Sequence, residues 1–125
     1  MKRKILIVDD EVTITRMAKL NLEGTGLYEV RTENKGTRAV QAAREFRPDL
    51  IFLDVMMPDL SGDEISTIIK NDDDLKGIKL VFLTAIVTRN ETADGRNEIG
   101  GNQFLAKPVK LKDLLYAIDQ QLNIN

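Results

Sequence analysis

Three stretches of the chain contain four consecutive apolar residues, bounded by polar ones, and are rich in leucine and β-branched side chains. They are Lys4–Asp9, Leu50–Asp54 and Lys79–Thr84. Continuous apolarity of this length predicts strands covered on both faces, as in a parallel sheet with helices on either side. Alternating apolar and polar residues predict an edge strand at Tyr28–Thr32, and a short apolar run predicts a fifth strand at Gln103–Ala106.

Apolar residues recur at helical spacing between the predicted strands. The positions are Ile14, Met17, Ala18 and Leu22; Ala39, Ala42, Ala43 and Phe46; Ile65, Ile68 and Ile69; and Leu111, Leu114, Leu115, Ile118 and Leu122. Pro48 is expected to end the second helix. A glycine-rich, apolar-poor segment gives a less regular pattern, and we place the fourth helix near Asn90 to Ile99. Strand and helix alternate five times without a repeat or linker, which predicts one three-layer α/β domain over residues 1–125, a (βα)5 parallel sheet with right-handed crossovers.

Composition narrows the chemistry that this domain can perform. The 125 residues are 42% hydrophobic and 30% charged, with a net charge of −2, no cysteine and no histidine. Histidine bases, Ser-His-Asp triads, thiolate nucleophiles and the usual zinc sites are therefore excluded. The longest basic cluster is 2–4 and no apolar run approaches the roughly 20 residues of a membrane span, so we expect no direct nucleic-acid partner, no membrane span and a cytoplasmic protein.

Polar residues follow four of the five predicted strands. Asp9 and Asp10 end the first, Asp54 the third and Thr84 the fourth, and Lys107 follows the fifth. The carboxyl ends of parallel strands share one edge of a sheet, where ligands bind. Two carboxylates at about 4 Å repel each other by roughly 1 to 4 kcal/mol, so three of them require a cation. Lysine supplies one charge, and oxygen ligands with few protein donors favour Mg²⁺ for the rest.

Four motifs at these strand ends carry a family resemblance. They are Val8-Asp9-Asp10-Glu11, Asp49-Leu-Ile-Phe-Leu-Asp54-Val-Met-Met-Pro58-Asp-Leu-Ser-Gly62, Phe82-Leu-Thr84-Ala85 and Phe104-Leu-Ala-Lys107-Pro108. In this order and spacing the chain resembles the receiver domains of two-component response regulators, the family of the chemotaxis response regulator. The resemblance covers nearly all of the chain. It implies the flavodoxin-like, doubly wound sheet with strand order 2-1-3-4-5.

The resemblance also implies a role for each residue of the acidic edge. Asp54 is expected to be the phosphoacceptor, a carboxylate nucleophile that forms an aspartyl phosphate. Mg²⁺ is expected to be bound by Asp10, by Asp54 and by the backbone carbonyl of Met56, with Asp9 acting through water. Lys107 is expected to pair with Asp54 and then with the phosphoryl group, to which the Thr84 hydroxyl donates.

Further implied roles concern signalling and loop shape. Phosphorylation is expected to draw Thr84 toward the phosphoryl group and to let Phe104 turn inward, which would reshape the face of helix four, strand five and helix five. That face would control an output partner or domain, or form a homodimer. Pro58 and Gly62 are expected to shape the loop after the phosphoacceptor, with a turn glycine as the simplest explanation of Gly62, and Pro108 resembles the family's cis-proline. A sensor histidine kinase or a phosphotransfer protein is the expected donor.

Two other functions fit the sequence less well. Phosphatases of the haloacid dehalogenase type want an Asp-x-Asp motif after the first strand, whereas this chain has Asp9-Asp10-Glu11 and no room for a cap domain. A receiver-like module that is never phosphorylated would usually lack one of the site residues. We therefore expect a signalling receiver rather than an enzyme, either a stand-alone regulator or the receiver of a longer protein. Glu11 is explained by the dipole of the first helix, which favours an acidic side chain at its start.

Overall fold

The computed structural model describes residues 2–85, 98–99 and 102–122. In chain order, the elements are β1 (Arg3–Val8), α1 (Val12–Gly24), β2 (Tyr28–Glu33), a 3-10 turn (Gly36–Arg38), α2 (Ala39–Phe46), β3 (Leu50–Asp54), α3 (Gly62–Lys70), β4 (Lys79–Thr84), β5 (Glu98–Ile99), β6 (Asn102–Ala106) and α4 (Leu111–Leu122). No helix among these residues is long and apolar enough to cross a membrane.

The strands form one sheet in the order β2-β1-β3-β4-β6-β5. The first five of these run parallel, and β6 is the strand predicted at Gln103–Ala106, so the predicted order 2-1-3-4-5 is confirmed. β3 is buried throughout, as its continuous apolar sequence indicates. β2 pairs with β1 and has partly exposed residues along its length, in agreement with an edge position.

The two-residue strand β5 differs from the prediction. It pairs antiparallel with β6, with Glu98 opposite Gln103 and Ile99 opposite Asn102. The prediction of a helix near Asn90 to Ile99 is therefore wrong at residues 98 and 99, which form a strand. The rest of that predicted helix lies outside the described part of the chain. The physical reason is local: a two-residue connection of glycines favours a hairpin over a continuing helix.

Apolar side chains fill both faces of the sheet. One cluster lies under α2 and α3 and contains Ala42, Ile65, Ile69 and Phe104, among others. The other lies under α1 and α4 and contains Leu22, Phe52, Leu114 and Ile118, among others. Because each face of the sheet has its own cluster covered by helices, the predicted three-layer arrangement of helices, sheet and helices is confirmed.

Not every residue of the predicted helical stripes is buried. Met17 of α1 is 52% exposed, whereas Thr15 is 1% exposed. The α1 face that packs on the sheet therefore follows Ile14, Ala18 and Leu22 at intervals of four, and a buried hydroxyl lies beside it. The Thr15 hydroxyl is satisfied there because it donates to the Val12 carbonyl at 3.0 Å.

Candidate functional site

Strand register brings the predicted site residues to one edge of the sheet. Val8 is level with Leu53, and Asp54 is level with Leu83. One residue further along, the Lys107 N–H donates to the Thr84 carbonyl at 2.9 Å. The residues that end or directly follow β1, β3, β4 and β6 are therefore neighbours.

Three carboxylates meet at this edge. One oxygen from each of Asp9, Asp10 and Asp54 lies within 4.8 Å of the others. Asp9 and Asp54 are buried, at 0% and 2% exposure, and Asp10 is exposed. Among the described residues, these three aspartates are the cluster of potential metal ligands whose oxygen atoms lie close enough together to hold an ion, as the strand-end pattern predicts.

The cation among these carboxylates is Lys107, whose side chain is 11% exposed. Its Nζ lies 2.8 Å from Asp9 Oδ2 and 3.5 Å from Asp54 Oδ1. Lys107 was expected to pair with Asp54. Its shortest contact is instead with Asp9, and the phosphoacceptor candidate is the more distant partner.

Glu11 takes part in this ion-pair group, which the sequence analysis did not predict. It precedes α1 as the N-cap residue, but its side chain caps no backbone N–H. Its carboxylate instead lies 3.5 Å from Lys107 Nζ. The available signal was its position directly after the aspartate pair, on a loop already expected to face the lysine.

Burial and a neighbouring negative charge make Asp54 a weaker acid than an ordinary aspartate. Desolvation by burial and, to a smaller extent, the charge of Asp9 raise the pKa of Asp54 from 3.8 to about 7. The Lys107 charge and the Met56 N–H act in the opposite direction, and they do not compensate. For Lys107, burial lowers the pKa, but the bond to Asp9 and the surrounding negative charge outweigh it, so the pKa is raised.

The two oxygens of Asp54 differ in their surroundings. Oδ1 accepts the Met56 N–H at 3.2 Å, whereas Oδ2 is buried and has no hydrogen-bond partner within the described chain. A buried carboxylate oxygen without a partner is costly unless a ligand binds it. With three carboxylates within reach, the donor set is all oxygen, which fits a hard divalent cation such as Mg²⁺.

The loop after Asp54 is packed against the backbone of the phosphoacceptor candidate. A Cβ on Gly62 would lie 2.4 Å from the Asp54 carbonyl oxygen, so no other residue fits without a backbone shift. Gly62 is therefore more than the simple turn glycine expected from the sequence. It begins α3, with Ser61 as the N-cap that accepts the Glu64 N–H, and Pro58 lies exposed earlier in the same loop.

Thr84 and Phe104 are the two residues predicted to act as the switch. Thr84 ends β4 and is 2% exposed. Phe104 is 1% exposed and belongs to the core cluster under α2 and α3, so in this structure it already occupies the interior. The Lys107–Pro108 peptide bond is cis, as the resemblance implied.

Known proteins are similar to this chain in sequence and in fold. A family model described as the response regulator receiver domain matches residues 5–119. The polar-differentiation response regulator DivK of Brucella anthropi is 31% identical over 123 residues, 98% of each chain. The structure of chemotaxis protein CheY4 of Vibrio cholerae is 29% identical, covers 97% of this chain and 99% of its own, and superposes with a TM-score of 0.82.

Another relative is longer than this chain. The DNA-binding response regulator MtrA of Mycolicibacterium paratuberculosis is 33% identical over 125 residues, which are all of this chain and 53% of MtrA. The chain thus spans about half the length of the MtrA relatives that it matches. The α/β fold is the one found in these relatives, and the chain belongs to the response regulator receiver domain family of two-component signalling.

Proposed function

We propose that Asp54 accepts a phosphoryl group from a histidine kinase or a phosphotransfer protein, in a reaction that requires Mg²⁺. Receivers of this family interact with donors of these two kinds. The observation that carries the proposal is Asp54 itself, a buried carboxylate with one unpartnered oxygen beside Asp9 and Lys107.

Mg²⁺ would be held by Asp10, Asp54 and the Met56 carbonyl, with Asp9 acting through a water. When bound, the ion supplies positive charge that offsets the carboxylates and the phosphoryl oxygens. The chain's own residues support this assignment because neither the single charge of Lys107 nor the Met56 N–H brings the Asp54 pKa back to its ordinary range. The site has excess negative charge that a divalent cation would balance.

Phosphoryl transfer is then mostly positioning and charge balance. An Asp54 oxygen forms a bond to phosphorus while the bond from phosphorus to the donor breaks, and the electron pair of the broken bond leaves with the donor. The Met56 N–H, 3.2 Å from Oδ1, orients the attacking carboxylate. The new group carries a charge of about −1.5 to −2, and Lys107 neutralises part of it.

Lys107 must change its main partner during this reaction. It is 2.8 Å from Asp9 and 3.5 Å from Asp54 before transfer. A phosphoryl group on Asp54 brings further anionic oxygens to the same edge, and the flexible lysine stem allows the ammonium to reach them. Asp9 therefore holds the Lys107 ammonium near the site before transfer, and Lys107 would then move to the phosphoryl oxygens.

The partner surface begins beside Lys107. A groove lined mainly by apolar side chains lies between α1 and the start of α4, and Met17, Ala18, Val109 and Leu111 are among its lining residues. Met17 is half exposed there and is available for contact with a partner. A donor seated in this groove would deliver its phosphoryl group next to Lys107.

The signalling face would follow from Thr84 and Phe104. The Thr84 hydroxyl would donate to the phosphoryl group, and Phe104 would hold its interior position in the signalling state. The described parts of that face are β6, which is the predicted fifth strand, and α4, which is the predicted fifth helix. The face would bind an output partner or domain or a second receiver. The self-catalysed gain and loss of phosphate belong to the same proposal.

The test is labelling with a small acyl phosphate in the presence of Mg²⁺. Wild-type protein should be labelled and EDTA should abolish the labelling. Asp54→Asn should take no label, whereas Asp74→Asn, an exposed residue in the turn before β4, should be labelled at the wild-type rate. Labelling of Asp54→Asn at the wild-type rate would refute the assignment. Failure of wild-type protein to bind beryllofluoride with Mg²⁺ would favour an unphosphorylated module.

A further inference from the structure

Two loops carry the acidic pocket, and a third segment touches both of them. The first loop follows β1 and contains Asp9 and Asp10; the second is 55–61, after β3. The third segment is 34–37, which lies between β2 and α2 and overlaps the 3-10 turn; we call it the bridging turn.

One end of the bridging turn holds the second loop through Asp59. Asp59 Oδ2 accepts the Thr37 N–H at 3.0 Å, and Oδ1 accepts the Gly36 N–H at 3.2 Å. Oδ1 also accepts the Leu60 N–H at 3.0 Å, so a single carboxylate fixes both the turn and the loop. The Thr37 N–H, with smaller help from the Gly36 N–H, holds the pKa of Asp59 below its usual range.

The fit between the turn and the loop is tight at the backbone level. A Cβ added to Gly36 would lie 2.7 Å from the Leu60 carbonyl oxygen and 3.1 Å from Asp59 Oδ1. Even a methyl side chain would push the loop away. Gly36 has an ordinary negative φ, so close approach and not backbone conformation requires the glycine.

The other end of the bridging turn holds the first loop through Asn34. Its Nδ2 donates to the Asp9 carbonyl at 2.8 Å and to the Thr15 hydroxyl at 2.9 Å. Thr15 is buried in α1 and donates in turn to the Val12 carbonyl. One amide therefore ties the end of β1 to the first turn of the helix that follows the aspartate pair.

We propose that the bridging turn is a positioning element of the acidic pocket, which sets the separation of the two loops through Asn34 at one end and Gly36 with Asp59 at the other. The hydrogen bonds described for Asn34 and Asp59 join backbone groups and the Thr15 hydroxyl, and not the carboxylates of Asp10 or Asp54. They act through the loops that carry Asp9 and Met56. The expected effect on Mg²⁺ binding rests on the proposed function. The placement of the two loops by the bridging turn does not depend on that function.

Matched substitutions separate position from charge and from general stability. Gly36→Ala perturbs the contact without changing charge, and Gly77→Ala is its control because a Cβ there meets nothing within 4 Å. Asp59→Asn weakens the same contact from the other side, and the exposed Asp63→Asn matches its charge change. Mg²⁺ affinity should be measured on unphosphorylated protein by titration of backbone amide chemical shifts.

Gly36→Ala and Asp59→Asn should each weaken Mg²⁺ binding by roughly 10-fold, as substitution of residues that orient metal ligands does. Gly77→Ala and Asp63→Asn should leave it unchanged. Asn34→Ala, which releases the other loop, should weaken it in the same way. Unchanged affinity in all three variants, with lowered unfolding free energy in EDTA, would show a merely structural contact and overturn the proposal.

A metal-free measurement keeps this test independent of the proposed function. The Met56 N–H is bound to Asp54 Oδ1, and its hydrogen exchange in EDTA reports the position of the second loop. The exchange should be several-fold faster in Gly36→Ala and Asp59→Asn than in their controls. If wild-type protein binds no Mg²⁺, the proposed function is wrong, and equal Met56 exchange in variants and controls would then refute the bridging turn by itself.

Discussion

Replacing Asp54 with asparagine should stabilise the metal-free protein. The pKa of Asp54 is raised from 3.8 to about 7, chiefly by burial and by the charge of Asp9. The interval between these values, at about 1.4 kcal/mol for each pH unit, corresponds to about 4 kcal/mol. This is the cost of keeping Asp54 charged in the folded protein at pH 8, and Asp54→Asn removes it while conserving side-chain volume.

The pH dependence follows from the direction of the shift. A carboxylate with a raised pKa destabilises the fold fully above its folded-state value, and the penalty disappears as the pH falls toward the unfolded-state value. The advantage of Asp54→Asn should therefore be largest at pH 8, about 4 kcal/mol, and fall to about 2 kcal/mol at pH 5. Lys107 keeps its 2.8 Å contact with Asp9 in the variant, so no new unpaired charge offsets the gain.

Urea denaturation in EDTA measures this effect. The chain has no tryptophan, so unfolding is best followed by far-ultraviolet circular dichroism. Asp74→Asn is the control, and it should differ little from wild type at either pH because Asp74 is exposed. A variant no more stable than wild type at pH 8, or an advantage that grows on acidification, would refute the electrostatic account of the pocket.

Three further outcomes are expected. Asp10→Asn should weaken Mg²⁺ binding in a shift titration and, by relieving repulsion, stabilise the protein in EDTA by about 1 kcal/mol; a loss of stability would contradict this. Phe104→Ala should cost about 3 to 5 kcal/mol in urea unfolding because the ring is buried, while the milder Phe104→Leu should keep Asp54 labelling and lose partner or dimer binding; equal loss of both activities would refute separate roles. Met56→Asn combined with Ile86→Glu should speed loss of phosphate from Asp54, since polar side chains there can orient an attacking water; Ile86 lies outside the described residues, and unchanged decay would reject this explanation.

The central strands could be predicted from sequence because strands that are buried on both faces consist of consecutive apolar residues. Leu50–Asp54 and Lys79–Thr84 have the predicted bounds, since the buried side chains from Leu50 and from Leu80 onward are apolar until the polar residue that ends each strand. The same reasoning predicted that the aspartates at the strand ends converge, because parallel strands bring their last residues to one edge. The acidic cluster of Asp9, Asp10 and Asp54 confirms this inference.

Long-range contacts of exposed or backbone groups are not marked by runs of consecutive residues, and their sequence signal is much weaker. Glu11 looks like any acidic residue at a helix start until Lys107, 96 residues away, is placed beside it. Asp59 binds backbone N–H groups 22 and 23 residues earlier, and hydrogen bonds to backbone carry no requirement on the partner's side chain. Gly36 could be recognised as special only once the Leu60 carbonyl was located next to it.

Local competition explains the remaining differences. Met17 has the spacing of a core residue, but the buried position of its turn is taken by Thr15, whose hydroxyl finds partners in Val12 and Asn34. Glu98–Ile99 could belong to a helix by composition, yet the open edge of β6 offers backbone partners that favour a strand.

The central claim is that Asp54 is the residue that becomes phosphorylated. After incubation with a small acyl phosphate and Mg²⁺, borohydride reduction converts an aspartyl phosphate to homoserine, and peptide mass spectrometry then locates the changed residue. We predict homoserine at position 54, in a Mg²⁺-dependent yield, with Asp9, Asp10 and Asp59 unchanged. Homoserine at another aspartate, or none at position 54 in protein shown to bind Mg²⁺, would contradict the account.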